Sequence, residues 1–187
     1  MIAGLEDISD GELWIGDKLV NYLEPKERDL AMVFQSYALY PQMNIYDNIA
    51  FSLQVRKVPK KEIDKRVHHV AELLGLENLL KQRPKNLSGG QRQALSLLMA
   101  TLKRPELLLL DEHTAALDPK TSVALMELTD EFVTGDHLTA LMITHHMEDA
   151  LKYGNRLIVM KDGQIIKDLT KEEKGQLDIT DYYAMFE

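Results

Sequence analysis

The chain has 187 residues, with 22 Lys and Arg against 30 Asp and Glu for a net charge of −8, and no Cys. That length suits one domain or two small ones, and 45% apolar with 28% charged residues argues against wholesale disorder. The absence of Cys excludes a disulfide scaffold, a cysteine nucleophile and a thiolate zinc site, and the acidic balance makes a poor general nucleic-acid binder, because neutralising phosphates takes clustered Lys and Arg.

Met1 to Asp7 has no basic region and turns acidic before an apolar run develops, so no targeting signal is read there; Met1 to Leu5 has no N-cap or turn before it. No segment approaches the roughly 20 apolar residues of a membrane helix, so membrane association is expected through a partner. Leu13 to Ile15 and Lys18 to Val20 read as short strands around Gly16-Asp17, with Trp14 as a packing residue. Leu30 to Phe34 is a compact apolar run ending at Gln35. Asp47-Asn48 can cap a short helix through Leu53. Pro59 opens a helix over Lys60 to Leu74, with Ile63, Val67, Val70, Leu73 and Leu74 at helical spacing and Gly75 as its stop. A second long helix is predicted from near Ser88 to about Leu102. Leu107 to Leu110 reads as a buried strand. Asp118-Pro119 opens a helix to about Val133. Leu138 to Ile143 is the next strand, Met147 to Tyr153 a short helix closed by Gly154, and Leu157 to Met160 with Gln164 to Ile166 a hairpin about Asp162-Gly163. The tail from Lys161 is charged and helix-prone and ends in Tyr182, Tyr183 and Phe186. Strands alternating with helices predict a parallel α/β sheet.

Five stretches carry possible chemistry. Leu87-Ser88-Gly89-Gly90-Gln91-Arg92-Gln93 places a hydroxyl, exposed N–H groups and the positive end of a helix at one point, which suits a phosphate. Alone, Ser-Gly-Gly is an ordinary glycine-rich helix start. Leu107 to Leu110 followed by Asp111-Glu112 puts two carboxylates at the carboxyl edge of a parallel sheet, where Asp111 can hold Mg²⁺ and Glu112 can polarise water. Alone, that is a buried strand with an acidic end. Thr144-His145 follows a strand and can meet a terminal phosphate. Gln35 ends its own strand, where an amide can orient water or a metal ligand. Ala116-Leu117-Asp118 sets a carboxylate 118 − 111 = 7 positions after Asp111. His68-His69 reads as solvated helix surface, and His145-His146 with Glu148 and Asp149 lacks metal-site spacing.

The order Gln35, Ser88-Gly89-Gly90-Gln91, Asp111-Glu112, Asp118, His145 resembles the nucleotide-binding subunit of an ABC transporter over essentially the whole chain. The resemblance implies a P-loop NTPase-like (RecA-like) parallel sheet core, 1–35 and 105–187, with an inserted helical subdomain at about 36–104. It matches Gln35 to the Q-loop, residues 87–93 to the signature motif and residues 107–112 to Walker B. It matches 116–118 to the D-loop and His145 to the switch histidine. Glu112, His145 and Gln35 are then catalytic. Ser88, Gly89, Gly90, Gln91 and Asp118 bind nucleotide, and Asp111 and Gln35 hold Mg²⁺. ATP and Mg²⁺ are the implied ligands. A second ABC ATPase subunit, in a homo- or heterodimer, and transmembrane permease subunits are the implied partners, with no nucleic acid and no direct membrane span. Ser36 to Phe51 would touch the permease coupling helix. The location implied is cytoplasmic, peripheral on the inner face of the cell membrane.

The chain also departs from the family. No Gly-x-x-x-x-Gly-Lys-Ser/Thr occurs in it. The family places that P-loop shortly before the segment matched by Met1 to Leu5, so the expectation is a chain starting within the following helix and lacking the P-loop and first strands. Poor autonomous stability, or an altered sheet, and impaired ATP use follow. His113 stands where Pro is frequent after the Walker B Glu. Residues 1–93 resemble the carbohydrate-importer branch and 94–187 another importer branch, which predicts a seam at the signature motif. A non-catalytic subunit offering Ser88 to Gln91 in trans to an intact partner is the alternative. A soluble repair or translation ATPase is disfavoured, because 88 − 35 = 53 positions leave no room for a long coiled coil.

Overall fold

The computed structural model describes residues 1–34, 39–102, 104–178 and 180–181. They form two compact units, Met1–Met142 and Ile143–Glu187.

In the first unit, β1 (Trp14–Ile15) and β2 (Lys18–Leu19) make an antiparallel hairpin. Trp14 does not pack inward: it is 54% exposed, its indole N–H donating to Glu12 at 3.1 Å. Met1 to Gly4 close a single turn. Gly4 N–H donates to the Met1 carbonyl at 2.9 Å, and its φ of +75° is left-handed, which a right-handed helix cannot contain. Arg28 is buried over this turn and donates to the carbonyls of Leu23, Met1 and Ile2.

β3 (Leu30–Val33) and β4 (Leu107–Asp111) are parallel, with Val33 opposite Leu110, and β5 (Ala140–Ile143) completes the order β3-β4-β5. The long link from β3 to β4 carries three helices: α1 (Ile45–Val55), α2 (Lys60–Leu74) and α3 (Gly89–Thr101). α1 starts earlier than expected, because Asn44 rather than Asp47 is its cap: Asn44 Oδ1 accepts the Asp47 N–H at 2.7 Å. Asn48, one turn in, is fully buried and pins the preceding loop, its amide bonding Tyr40 N–H, Tyr40 O and Asn44 O. α2 has the predicted bounds, and Gly75 ends it at φ +62°. Ile63, Val67 and Val70 are buried, while Leu73 faces solvent. The three helices share one apolar cluster around Ile49, Val67 and Leu95. A second cluster packs β3, β4, α3 and α4 (Pro119–Gly135) around Val33, Leu97, Leu108, Leu110 and Leu125.

The second unit holds α5 (Met147–Lys152), the antiparallel strands β6 (Arg156–Lys161) and β7 (Gln164–Thr170), and α6 (Lys171–Lys174). Asp162 and Gly163 both have positive φ, 50° and 76°, as the predicted tight turn requires. β7 runs to Thr170, beyond the expected Ile166. Arg156 and Asp168 form a two-pronged ion pair across the hairpin. Lys174 is buried and caps this unit by donating to the Tyr153 and Gly154 carbonyls. Tyr182, Tyr183 and Phe186 lie outside the described residues.

Candidate functional site

The first half of the site is the start of α3. Ser88 is the N-cap: its Oγ accepts the Gln91 N–H at 3.2 Å, and Gln91 Oε1 accepts the Ser88 N–H at 2.9 Å. This reciprocal box satisfies two terminal donors and leaves Gly89 and Gly90 as the first helical residues, with N–H groups that have no carbonyl one turn back. Ser88 itself is exposed, so its hydroxyl hydrogen remains free to donate outward.

α4 begins beside it. Asp118 caps α4, accepting from the Thr121 N–H at 3.1 Å and the Thr121 hydroxyl at 2.6 Å, and these bonds hold its carboxyl below the usual carboxylate range. Thr121 also meets the other motif, since a Cβ built on Gly90 would overlap Thr121 Cγ2. A shallow crevice of about 250 Å³ is lined there by Ser88, Gly90 and Gln91 of α3 and by Thr121, Ala124 and Leu125 of α4.

The second half lies at the carboxyl edge of the parallel pair. Asp111 is the last residue of β4 and Glu112 the first beyond it, both partly buried. Glu112 has φ +44°, a left-handed conformation that is strained for a side chain with a Cβ, and its carbonyl closes a turn by accepting from the Ala115 N–H at 3.0 Å. His113 points inward. It is buried, and its Nε2 is 3.1 Å from Thr129 Oγ1, whose single hydrogen goes to the Leu125 carbonyl at 2.7 Å. Nε2 must therefore carry the proton, and burial depresses the imidazole pKa to about 4. Phe34 leaves β3 at the same edge, and the buried Gln93 of α3 donates Nε2–H to its carbonyl at 3.0 Å. Gln35 is outside the described residues.

His145 belongs to the second unit. It is exposed just before α5, its ring stacked on His146 at 4.6 Å between centroids, with the His146 N–H held by Thr144 Oγ1. Spacing does not single out Thr121 or Thr129, and Gln93 enters only as the last residue of the 87–93 stretch. Only Thr121 left a local signal, lying three residues after a capping Asp.

Comparison with known proteins adds the family. The ABC transporter family profile matches residues 1–115. The trehalose/maltose import ATP-binding protein of Thermococcus litoralis is 48% identical over 169 residues, covering 87% of this chain and 45% of that protein. The oligosaccharides import ATP-binding protein of Bacillus subtilis is 48% identical over 165 residues, covering 88% and 45%. The sn-glycerol-3-phosphate import ATP-binding protein of Bordetella avium is 47% identical over 163 residues, covering 87% and 45%. The chain belongs to the ABC transporter family. It spans about half the length of the curated relatives it matches. Each alignment is too long to lie on one side of residue 93, so single carbohydrate-type relatives match both sides of the expected seam. The α/β architecture with its parallel sheet fits the P-loop NTPase-like fold of this family.

Among the described residues no three or more His, Asp or Glu gather into a metal cage. The site instead offers two adjacent carboxylates, Asp111 and Glu112, at a strand end. That suits Mg²⁺ carried mainly by nucleotide phosphates, which commonly takes only one or two protein carboxylates.

Proposed function

We propose that this chain serves as ATP-binding, ATP-hydrolysing machinery of an ABC importer, energising transport through permease subunits. The observation that carries the reading is the Asp111-Glu112 pair at the carboxyl edge of β3-β4, in a chain 48% identical to import ATP-binding proteins. Ser88, Gly89 and Gly90 donate hydrogen bonds to phosphates of an ATP held by a second subunit, and Gln91 keeps that turn in place through the box. Asp111 and Gln35 would hold the Mg²⁺ that neutralises the phosphates. Glu112 orients and polarises the attacking water, His145 meets the terminal phosphate, and Asp118 fixes the edge that meets the second subunit. Residues 1–35 and 105–187 are assigned to the nucleotide core and about 36–104 to the helical subdomain; the apolar cluster shared by α1, α2 and α3 supports that assignment.

The permease is proposed to dock through its coupling helix against an apolar groove of about 380 Å³ lined by Tyr40, Phe51, Val55, Met99 and Ala100. Among the described residues no helix is long and apolar enough to cross a membrane.

A second reading is favoured by one observation: no P-loop sequence occurs within these 187 residues. Alone, they are expected to bind ATP weakly and to act by lending Ser88 to Gln91 in trans. Both readings are tested by mixing the chain with an ABC import subunit that has an intact P-loop and measuring ATPase activity. Ser88→Arg should lower the activity of the mixture under either reading, and Glu112→Gln only if this chain contributes catalysis. Indifference to both changes would overturn the proposal, and micromolar ATP binding by the chain alone would overturn the weak-binding expectation.

A further inference from the structure

Glu112 keeps a left-handed φ of +44° although it is not glycine, and such a backbone persists only where its surroundings over-determine it. Here the surroundings form a closed loop of contacts. His113, the next residue, is 3% exposed and turned inward. Its Nε2–H donates to Thr129 Oγ1 at 3.1 Å, in the buried middle of α4. The Thr129 hydroxyl in turn donates to the Leu125 carbonyl at 2.7 Å, one helical turn back, so only its lone pairs face the imidazole. Leu125 packs with Leu108 and Leu110 of β4, the strand that ends in Asp111 and delivers Glu112. Strand and helix are thus joined at both ends, and Glu112 is the link that bends. The imidazole stays inside because Thr129 offers it an acceptor, since a buried N–H left without one is costly.

We propose that the His113–Thr129 bond is the latch that holds Glu112 in its left-handed conformation, and that Thr129 is a positioning residue for the Glu112 carboxylate. With the latch made, the carboxylate leaves the strand edge in one fixed direction. With it broken, His113 turns out to solvent, the backbone at 112 relaxes to an ordinary φ, and the carboxylate swings away from the water it polarises. The latch is read from packing and hydrogen bonding alone; its effect on catalysis rests on the function proposed above.

Two readings test it, and the first needs no nucleotide. In thermal unfolding, Glu112→Gly should exceed Glu112→Ala in Tm by roughly 2–4 °C, because only glycine takes a left-handed backbone without strain. In a Thr129→Val background, which keeps the shape of the side chain and deletes the acceptor, that difference should shrink below about 1 °C. In a Thr129→Ser background, which keeps the acceptor, it should return. If Thr129→Val does not fold, Thr129→Ala removes the same acceptor and is read in its place. An undiminished advantage of Gly over Ala without the acceptor would overturn the latch, as would no advantage in the parent.

The second reading is the ATPase activity of the chain mixed with an intact import subunit. Thr129→Val should lower the maximal rate roughly tenfold and leave the half-saturating ATP concentration within about twofold of the parent, because Glu112 acts on water and not on nucleotide affinity. Thr129→Ser should keep the rate within about twofold of the parent. Equal rate losses in the Val and Ser variants, or a loss expressed in the half-saturating concentration instead, would mark general loosening and overturn the positioning role. Indifference of the mixture to Glu112→Gln would defeat the catalytic reading of this chain separately, and the Tm cycle would still decide the latch.

Discussion

Gln93 of α3 reaches across 59 positions of sequence to donate Nε2–H to the Phe34 carbonyl at 3.0 Å. This bond ties the helix that starts with Ser88 to the strand exit just before Gln35. Gln93 is 1% exposed, and its Oε1 finds no partner among the described residues. The amide thus gains one hydrogen bond and carries one buried unpaired acceptor, which offset each other to within about 1 kcal/mol. Gln93→Leu should change stability by no more than about 1 kcal/mol, because water can reach the partly exposed Phe34 and the orphan acceptor disappears. Gln93→Glu should lose about 2–4 kcal/mol at neutral pH, burying a charge with no donor beside it. Urea unfolding of the two variants checks the order; a Leu variant worse than the Glu variant would refute this account.

Asn48 is the busiest polar side chain of the helical region. Its amide accepts from Tyr40 N–H at 2.8 Å and donates to Tyr40 O at 3.1 Å and Asn44 O at 2.9 Å, all without solvent. Asn48→Ala should destabilise by about 2–4 kcal/mol, since it leaves buried backbone groups unpaired. It should also loosen Tyr40, a wall of the groove assigned to the permease. Guanidinium unfolding gives the first quantity, and binding of a coupling-helix peptide the second; a loss under about 1 kcal/mol contradicts the prediction.

His113 makes stability depend on pH. Its folded pKa is depressed to about 4 from 6.5 by burial. Between these values the unfolded chain binds the proton and the folded chain does not, so stability rises with pH across that window. The contribution is complete above about pH 6.5 and is lost as pH falls toward 4, amounting to about 3 kcal/mol. His113→Gln should flatten this part of the curve. The check is the difference between parent and variant unfolding free energies at pH 7 and pH 5, which cancels the carboxylates common to both. An unchanged slope would show that His113 does not supply it.

Glu112 holds a left-handed φ of +44° at the position where water activation is proposed. Glu112→Gly and Glu112→Ala both delete the carboxylate, but only Gly removes the backbone strain. The Gly variant should be the more stable of the two by up to about 1 kcal/mol, the wider unfolded ensemble of Gly offsetting part of the relief. Both should be equally inactive in the mixed ATPase assay. An Ala variant as stable as the Gly variant would mean that the turn carries no strain.

Much of this was legible in the sequence where one local rule acts alone. Pro59 and Gly75 bound α2, Asp118-Pro119 opens α4, Ser88 caps α3 and Asp162-Gly163 turns the last hairpin, each through capping or turn chemistry within a few residues. Asp111 and Glu112 were placed at a strand end by the apolar run before them. Where two caps compete within one loop, the reading failed: Asn44 outranks Asp47, because Asn48 is drawn into the interior by Tyr40. The Thr121–Gly90 fit, the Gln93–Phe34 bond and the His113–Thr129 pair join distant segments, and no spacing rule encodes them.

The burial of Arg28 has a consequence for how its neighbourhood can vary. Its guanidinium is satisfied by the main-chain oxygens of Met1, Ile2 and Leu23, which every amino acid supplies. Side chains at those three positions can drift without touching the anchorage. Only Arg28 itself is constrained, together with Gly4, where a Cβ would come within 2.7 Å of Nε. A family alignment would therefore show two isolated invariant positions with no co-varying partners, and correlation methods would pass over the fastening altogether.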